Sequence, residues 1–353
     1  MTLRTRQTMH AALITAPHTI EHQEVSIPEV GQDDVLIQVE LAGVCGTDAH
    51  LLEGHFQAKL PLIPGHEIVG RVVALGRNAR GFTEGQRVVL DPDLNCGTCI
   101  MCQKGMRHQC LHYEAIGVTR AGGFAEYVVA PSSVVYDASD LDPEVAVFAE
   151  PLGCVAWGIT RLRPEPGSTA LLYGAGGIGL LLMQALLASG VSEIAVVDPQ
   201  PARLELARKL GAKHVLQATA ETGGQLRDLY PHGFDVVTEA TGVPRVQQGM
   251  IDQAIAGGKI LVFGVAPEDA RIEVSPYEIF RRDLTVLGSF SLNATIPLAL
   301  KWMRSGQVRT RELITDTLPL GQLHEAIGQK ITARPESIKA IVSPGEVLAG
   351  VLK

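Results

Sequence analysis

The stretch Tyr173-Gly174-Ala175-Gly176-Gly177-Ile178-Gly179 constrains the fold of this chain more than any other. An apolar run, Thr169–Tyr173, leads into it, and a helical apolar run follows. G-x-G-x-x-G between a strand and a helix permits a tight turn and close backbone approach to a pyrophosphate. The helix N-terminus supplies N–H donors and a partial positive charge. Gly174, Gly176, Gly177, Ile178 and Gly179 are therefore candidate dinucleotide-binding residues. Asp198 follows nineteen residues after Gly179, at the end of the next apolar run. A carboxylate there can accept hydrogen bonds from the adenosine ribose hydroxyls and repels a 2′-phosphate, which favours NAD over NADP. Arg203 works the other way, since a nearby arginine can accept that phosphate.

The surroundings of the loop fit a doubly wound parallel sheet. After Pro151, short apolar runs alternate with helical stretches: Thr169–Tyr173, Ile194–Val197, His214–Leu216, Asp235–Glu239, Ile260–Gly264 and Leu284–Gly288. Six strands with intervening helices predict a Rossmann-type sheet. One such helix is expected over Ala202–Leu210, with Pro201 near its start and Gly211 just past its end. The first 150 residues read instead as β-rich. Val35, Ile37, Val39 and Leu41 alternate with Leu36, Gln38 and Glu40, the period of a half-buried strand. Val69–Leu75, Gln86–Leu90 and Phe124–Val129 are further strand candidates. The 353 residues are enough for about two domains. The expected division is 151–292 for the dinucleotide domain, with 1–150 and a returning tail, 293–353, forming the other.

Cys96, Cys99, Cys102 and Cys110 read C-x2-C-x2-C-x7-C. Four thiolates at such spacing can wrap one tetrahedral ion within a single loop and leave no open position, so the site would be structural zinc. An iron–sulfur cluster is the competing occupant of four thiolates. Elsewhere, Cys45, Gly65-His66-Glu67 and Glu150 supply a thiolate, an imidazole and carboxylates, a set that suits zinc with a position left for substrate. Spacing alone does not bring these together, and on spacing alone a core cysteine, a satisfied histidine and surface carboxylates are the commoner explanation.

Charge and composition narrow the function classes. There are 30 basic and 38 acidic residues, with no basic stripe of the kind nucleic-acid binding requires. The longest apolar stretch, Ile178–Met183, is far short of a membrane span. The polar start, Met1–Gln7, lacks the apolar core of a signal peptide. Six cysteines, four of them within fifteen residues, argue for metal in a reducing cytoplasm and not for a disulfide scaffold.

Taken in order, Cys45-Gly46-Thr47-Asp48, Gly65-His66-Glu67-x2-Gly70-x5-Gly76, the four-cysteine lobe, Glu150-Pro151-Leu152 and the glycine loop resemble the zinc-dependent medium-chain alcohol and polyol dehydrogenases, of the sorbitol and threonine dehydrogenase branch. The resemblance covers nearly the whole chain. It implies a GroES-like β-rich catalytic domain beside the Rossmann domain, two zinc ions per chain, one catalytic and one structural, and NAD. It implies Cys45 and His66 as ligands of the catalytic zinc, with Glu67 and Glu150 as rival acidic ligands. Asp48 would orient His66, Thr47 would hydrogen-bond the substrate oxygen, and His50 would end a proton relay. Val265 and Phe290 would lie at the nicotinamide carboxamide.

The implied reaction is oxidation of a secondary alcohol, a polyol or sugar alcohol, to a ketone. Threonine, a simple diol or a sugar phosphate are alternative substrates, and a catalytically silent NAD-binding sensor is the alternative outside enzymes. A homo-oligomer is expected, with the strands near Ile260–Val265 and Leu284–Gly288 offering an edge for pairing. Phe56, Thr119, Arg120 and Ser291 are candidates for the substrate pocket. Departures from the family pattern include an extension of about eight residues before Met9. The usual Gly-Asp-Arg-Val turn reads Gly85-Gln86-Arg87-Val88, and Ser291 stands near where sorbitol-type relatives carry a substrate-binding arginine.

Overall fold

A computed structural model describes residues 6–55, 58–332, 334 and 336–345. The chain forms two compact units. The first comprises Met1–Gly153, Leu292–Lys301 and Thr310–Lys353; the second comprises Cys154–Ser291 and Trp302–Arg309.

The first unit is built on a seven-stranded sheet. Its elements, in chain order, begin with the hairpin β1 (Thr8–Ala16) and β2 (Thr19–Ser26), which form a two-stranded sheet, β1 also bridging to Ala125 and Leu62. The main sheet then takes β3 (Asp34–Gly43), β4 (Glu67–Leu75), β5 (Arg87–Leu90), β6 (Tyr127–Pro131) and β7 (Val135–Asp137), with the short helix α1 (Gly46–Leu52) after β3. Late in the chain, β14 (Ile314–Pro319) and β15 (Lys339–Ser343) join the same sheet, which runs β14-β15-β3-β4-β5-β7 with β6 also on β3.

The alternation expected along β3 holds only in part. Val35, Ile37 and Val39 enter the main core with Ile68, Val72 and Val88. Leu36, however, is buried on the opposite face, where Met9, Ala11, Leu13 and Tyr127 make a second apolar layer. Bulges at Leu36/Ile37 and Val39/Leu41 re-aim the strand. Glu40 faces outward and pairs with both Arg71 and Arg87, at 2.8 and 2.7 Å. The strand expected over Phe124–Val129 lies instead at β6. The backbone of Phe124 is used elsewhere, bonding Ala12 and Pro64 at 2.9 and 3.0 Å.

The second unit holds a six-stranded parallel sheet. Its strands are β8 (Thr169–Tyr173), β9 (Glu193–Asp198), β10 (His214–Gln217), β11 (Phe234–Glu239), β12 (Ala254–Val262) and β13 (Thr285–Gly288). Their order is β10-β9-β8-β11-β12-β13. This is the doubly wound order of a Rossmann fold, with the reversal between β8 and β11. Ala170, Leu171 and Leu172 are fully buried, as a central parallel strand covered on both faces requires. Helix α3 (Gly177–Ala188) is apolar all round and buried from Gly179 to Leu186. Helix α4 (Pro201–Lys209) starts with its proline, one residue before the expected boundary.

One expectation for the sheet edge is corrected: β12 lies between β11 and β13 and has no open edge, so of the two strands expected to offer an edge β13 alone ends the sheet. Helix α2 (Ala149–Leu162) belongs to a stretch, Pro143–Leu162, that is long and apolar enough to cross a membrane, yet most of it is buried inside the protein.

Candidate active site and metal centres

The four cysteines of the 96–110 loop converge. Sγ of Cys99 lies 3.5 Å from Cys102 and 3.9 Å from Cys110, and Cys110 lies 3.6 Å from Cys96. A tetrahedral zinc with Zn–S bonds of about 2.3 Å has sulfur–sulfur edges of about 3.8 Å. The spacing therefore fits one ion and is too close for a multi-iron cluster, while no pair is near disulfide length. Backbone N–H groups of Cys99 and Cys96 donate to Sγ of Cys96 and Cys110, each at 3.3 Å, and that of His112 also donates to Cys110 at 3.3 Å. Such donors favour thiolate. The Thr98 hydroxyl, followed by backbone N–H groups, brings the Cys96 thiol down to about 5, whereas desolvation and the proton shared with Cys99 push Cys102 up to about 12.

A second donor set forms where α1 meets β4. Cys45 is the N-cap of α1, and its backbone N–H donates to Asp48 Oδ2 at 2.8 Å. The other carboxylate oxygen, Asp48 Oδ1, lies 3.7 Å from His66 Nδ1. Cys45, His66 and Glu67 bring a thiol, an imidazole nitrogen and a carboxylate oxygen within 4.8 Å of one another. His66, Glu67 and Asp48 are buried, with Asp48 fully so. Burial works against a charged His66, but Cys45, Asp48 and Glu150 outweigh it and hold the imidazole well above its usual pKa. This donor set fits a borderline-soft cation such as zinc, with a buried carboxylate behind the ligating imidazole.

Glu150, in the first turn of α2, is also buried and adds negative charge near His66 and Lys339, but it is not among the three donors that converge. Thr47 Oγ1 lies 3.8 Å from Cys45 Sγ, and the His50 side chain is 46% exposed. Thus Cys45, Thr47, Asp48, His66 and Glu67 are gathered, with His50 at the solvent end of the same helix.

The sequence reading missed Lys339. It is the first residue of β15, buried, and forms an ion pair with Glu67 Oε2 while donating to Val44 O at 3.1 Å. Glu67 raises the Lys339 pKa against the opposing effect of burial. The carboxylate passes over Gly43, its partner across the β3–β4 ladder; a Cβ there would meet Glu67 Oε2 at 2.0 Å. The only hint in the sequence is a lysine inside the apolar run Ile338–Val342.

In the second unit the glycine loop has the geometry a dinucleotide needs. A Cβ on Gly179 would meet Gly174 O at 1.9 Å, and one on Gly174 would meet Thr241 Cγ2 at 2.8 Å. Those two glycines let strand, turn and helix pack. Gly176, the N-cap of α3, faces open space instead, so its missing side chain leaves room beside the helix N-terminus. Gly177 and Ile178 form the first turn of α3. Asp198 ends β9, buried, and accepts from the N–H of Ala175 at 2.7 Å and of Gln200 at 2.8 Å. It therefore ties the loop to the neighbouring strand. Arg203 is half-buried on α4, and Val265 and Phe290 are exposed.

Glu239 was also missed. It is fully buried at the end of β11 and accepts from the N–H groups of Thr241, Gly242 and Gly264, the Thr241 hydroxyl and the Gln247 amide. Among the pocket candidates, the Thr119 hydroxyl accepts from Ala115 N–H at 2.8 Å, so it shapes its own turn, and Arg120 faces Glu114 at 3.9 Å. Ser291 has a positive φ of 51°, and Phe56 lies outside the described residues.

Known proteins match this chain over both units. Residues 31–140 match the alcohol dehydrogenase GroES-like domain, and residues 177–305 match the zinc-binding dehydrogenase family. D-arabinitol dehydrogenase 1 of Uromyces fabae is 37% identical over 341 residues, covering 95% of this chain and 97% of that protein. D-altritol 5-dehydrogenase of Agrobacterium fabrum is 37% identical over 324 residues, covering 89% and 94%. Among solved structures, a zinc-binding dehydrogenase of Sinorhizobium meliloti bound to NADP superposes with a TM-score of 0.91 at 33% identity, covering 96% of this chain and 100% of that one.

Proposed function

Because the chain belongs to the zinc-dependent alcohol and polyol dehydrogenases of the medium-chain type, we propose that it oxidises a secondary hydroxyl of a polyol or sugar alcohol to a ketone, with a nicotinamide dinucleotide as hydride acceptor. The observation that carries this reading is the convergence of half-buried Cys45 with buried His66 and Glu67 beside Asp48 and Thr47.

Cys45 and His66 hold the catalytic zinc, with Glu67 and Glu150 as its acidic partners. The convergence within 4.8 Å favours Glu67 as the direct ligand, and its ion pair to Lys339 leaves room for Glu150 to take that place. Zinc, when bound, supplies Lewis acidity that makes the substrate hydroxyl more acidic. Asp48 fixes the imidazole of His66 by facing its Nδ1. Thr47 Oγ1 accepts the hydroxyl proton as it gives its own proton on along a relay, and His50, at the exposed end of the same helix, ends that relay by releasing a proton to solvent. Cys96, Cys99, Cys102 and Cys110 hold a second, structural zinc.

Residues 151–292 serve as the dinucleotide domain, and 1–150 with 293–353 as the zinc-binding catalytic domain. Gly174, Gly176, Gly177, Ile178 and Gly179 carry the pyrophosphate, and Asp198 takes the adenosine ribose. A buried carboxylate at that position disfavours a 2′-phosphate, so NAD is the assigned acceptor although the Sinorhizobium relative was solved with NADP. Arg203 flanks the same ribose site, and backbone near Val265 and Phe290 meets the nicotinamide. The exposed Val286 on the terminal strand β13 supports association of copies through that edge. Six cysteines, four of them gathered in one metal-binding lobe, support a reducing, cytoplasmic setting.

The test is NAD reduction by zinc-replete protein over free polyols, sugar phosphates, threonine, simple diols and primary alcohols. A preference among free polyols is expected. No turnover of any of them by protein shown to hold two zincs and to bind NAD would overturn the polyol reading.

A further inference from the structure

The C-terminal end of α1 carries a third group of metal-binding side chains, separate from the two already described: His50, Glu53 and His55. Their arrangement is dictated by the helix cap. After Glu53 the chain turns through Gly54 at φ 78°. The N–H of Gly54 donates to Leu51 O at 3.1 Å, and the N–H of His55 donates to His50 O at 2.9 Å. This pair of bonds is a Schellman cap, and it needs a left-handed residue at its turn, which glycine supplies. The sequence His50-Leu51-Leu52-Glu53-Gly54-His55 thereby holds both imidazoles on one side of the cap.

Glu53 Oε2 lies between them, 3.5 Å from His50 Nδ1 and 3.3 Å from His55 Nδ1. Those separations exceed a charge-assisted hydrogen bond, about 2.7–2.9 Å. They match the donor–donor edge of a tetrahedral zinc with bonds of 2.0–2.1 Å, which is about 3.3–3.4 Å. The three ligand atoms all lie within 4.8 Å of one another, and the side chains are 46%, 25% and 66% exposed. An ion can enter from solvent, and water can complete its shell.

We propose that the His50–Glu53–His55 cap binds a third, exchangeable zinc-class cation. Its consequence rests on the proton-relay reading of His50: an ion held there occupies the imidazole that passes the proton out, so excess zinc slows the enzyme.

The experiment titrates ZnCl2 into zinc-loaded enzyme freed of excess metal, following heat of binding without NAD and, separately, the rate of NAD reduction. Wild type should take up a further equivalent and lose rate with the same midpoint. His55→Ala and Glu53→Gln, neither of them in the catalytic set, should keep the rate without added zinc. Both should shift the binding and the inhibition midpoints at least about tenfold, since losing even an outer partner of a metal ligand has an effect of that size. Absence of a further equivalent in wild type, or equal affinity in both variants, would overturn the site. Binding that is lost in the variants while wild-type rate ignores zinc supports the site and overturns both the inhibition and the relay through His50.

Discussion

The cysteine lobe takes all its donors from one fifteen-residue loop, with Cys96 exposed and only Cys110 buried. The Cys45–His66–Glu67 set takes its donors from a helix cap and a strand end, buries His66 and Glu67 with Cys45 half-buried, and adds a lysine from almost 300 residues further along the chain. The lobe saturates a tetrahedron with like donors and can only hold an ion in place. The mixed set keeps its charges in a low-dielectric setting, surrounded by groups that bias one another: Asp48 against His66, Lys339 against Glu67. A closed site can tolerate water around it because no step occurs there. A reactive site needs the burial, and burial in turn demands compensating charge from wherever the fold can bring it.

That contrast can be broken by experiment. His66→Ala should remove one zinc equivalent and lower the rate by at least about a thousandfold, the effect of losing several kcal/mol of Lewis-acid stabilisation, with little change in melting temperature. Metal content, rate and calorimetry on the same sample decide it; near-normal rate would mean that the reactive centre lies elsewhere. Lys339→Met should leave Glu67 buried without its counter-charge and destabilise the protein by about 3–5 kcal/mol, with Lys339→Arg retaining most of the stability. If Glu67 ligates zinc, the loss should be larger in zinc-stripped than in zinc-loaded protein; equal losses would assign the ligand role to Glu150. Cys110→Ser should remove the other zinc equivalent and lower the melting temperature by on the order of 5–10 °C, while the rate per folded chain is retained. A collapse of that rate would show that the lobe is not merely structural. Asp48→Asn keeps an acceptor for the Cys45 N–H but removes the charge facing His66. It should weaken zinc affinity or rate by about ten- to a hundredfold, read by competition with a chelator.

The same contrast explains what could be read from the sequence. The glycine loop and the four cysteines were legible because each is one contiguous piece whose residue spacing is its geometry. The central parallel strands were legible because burial on both faces writes continuous apolar runs, whereas the terminal strand β13, largely exposed, was read from its β-branched and apolar residues and its place in the alternation. Lys339 and Glu239 were not, since a single charged residue in an apolar run does not name a partner; Lys339 meets Val44 across 295 positions. The hairpin of β1 and β2 escaped because β2 is mostly exposed and carries no apolar stripe. Leu36 was assigned to solvent because periodicity reports one buried face and knows nothing of the second layer that Met9 and Tyr127 supply. Cys45, Asp48 and His66 were placed together only by family resemblance, and the structure supplies the reason: the aspartate that caps α1 also faces the imidazole.

The five hydrogen bonds accepted by Glu239 have a mechanical consequence. They join the segment after β11, at Thr241 and Gly242, to Gly264 after β12, and to Gln247 on the following helix. The two loops are thus a single stiff part hinged on one carboxylate, and a displacement of Val265 must carry Thr241 along or tear bonds to a fully buried carboxylate. Replacing the carboxylate by an amide puts a donor among donors, and amide exchange at Gly242 and Gly264 would then rise in step.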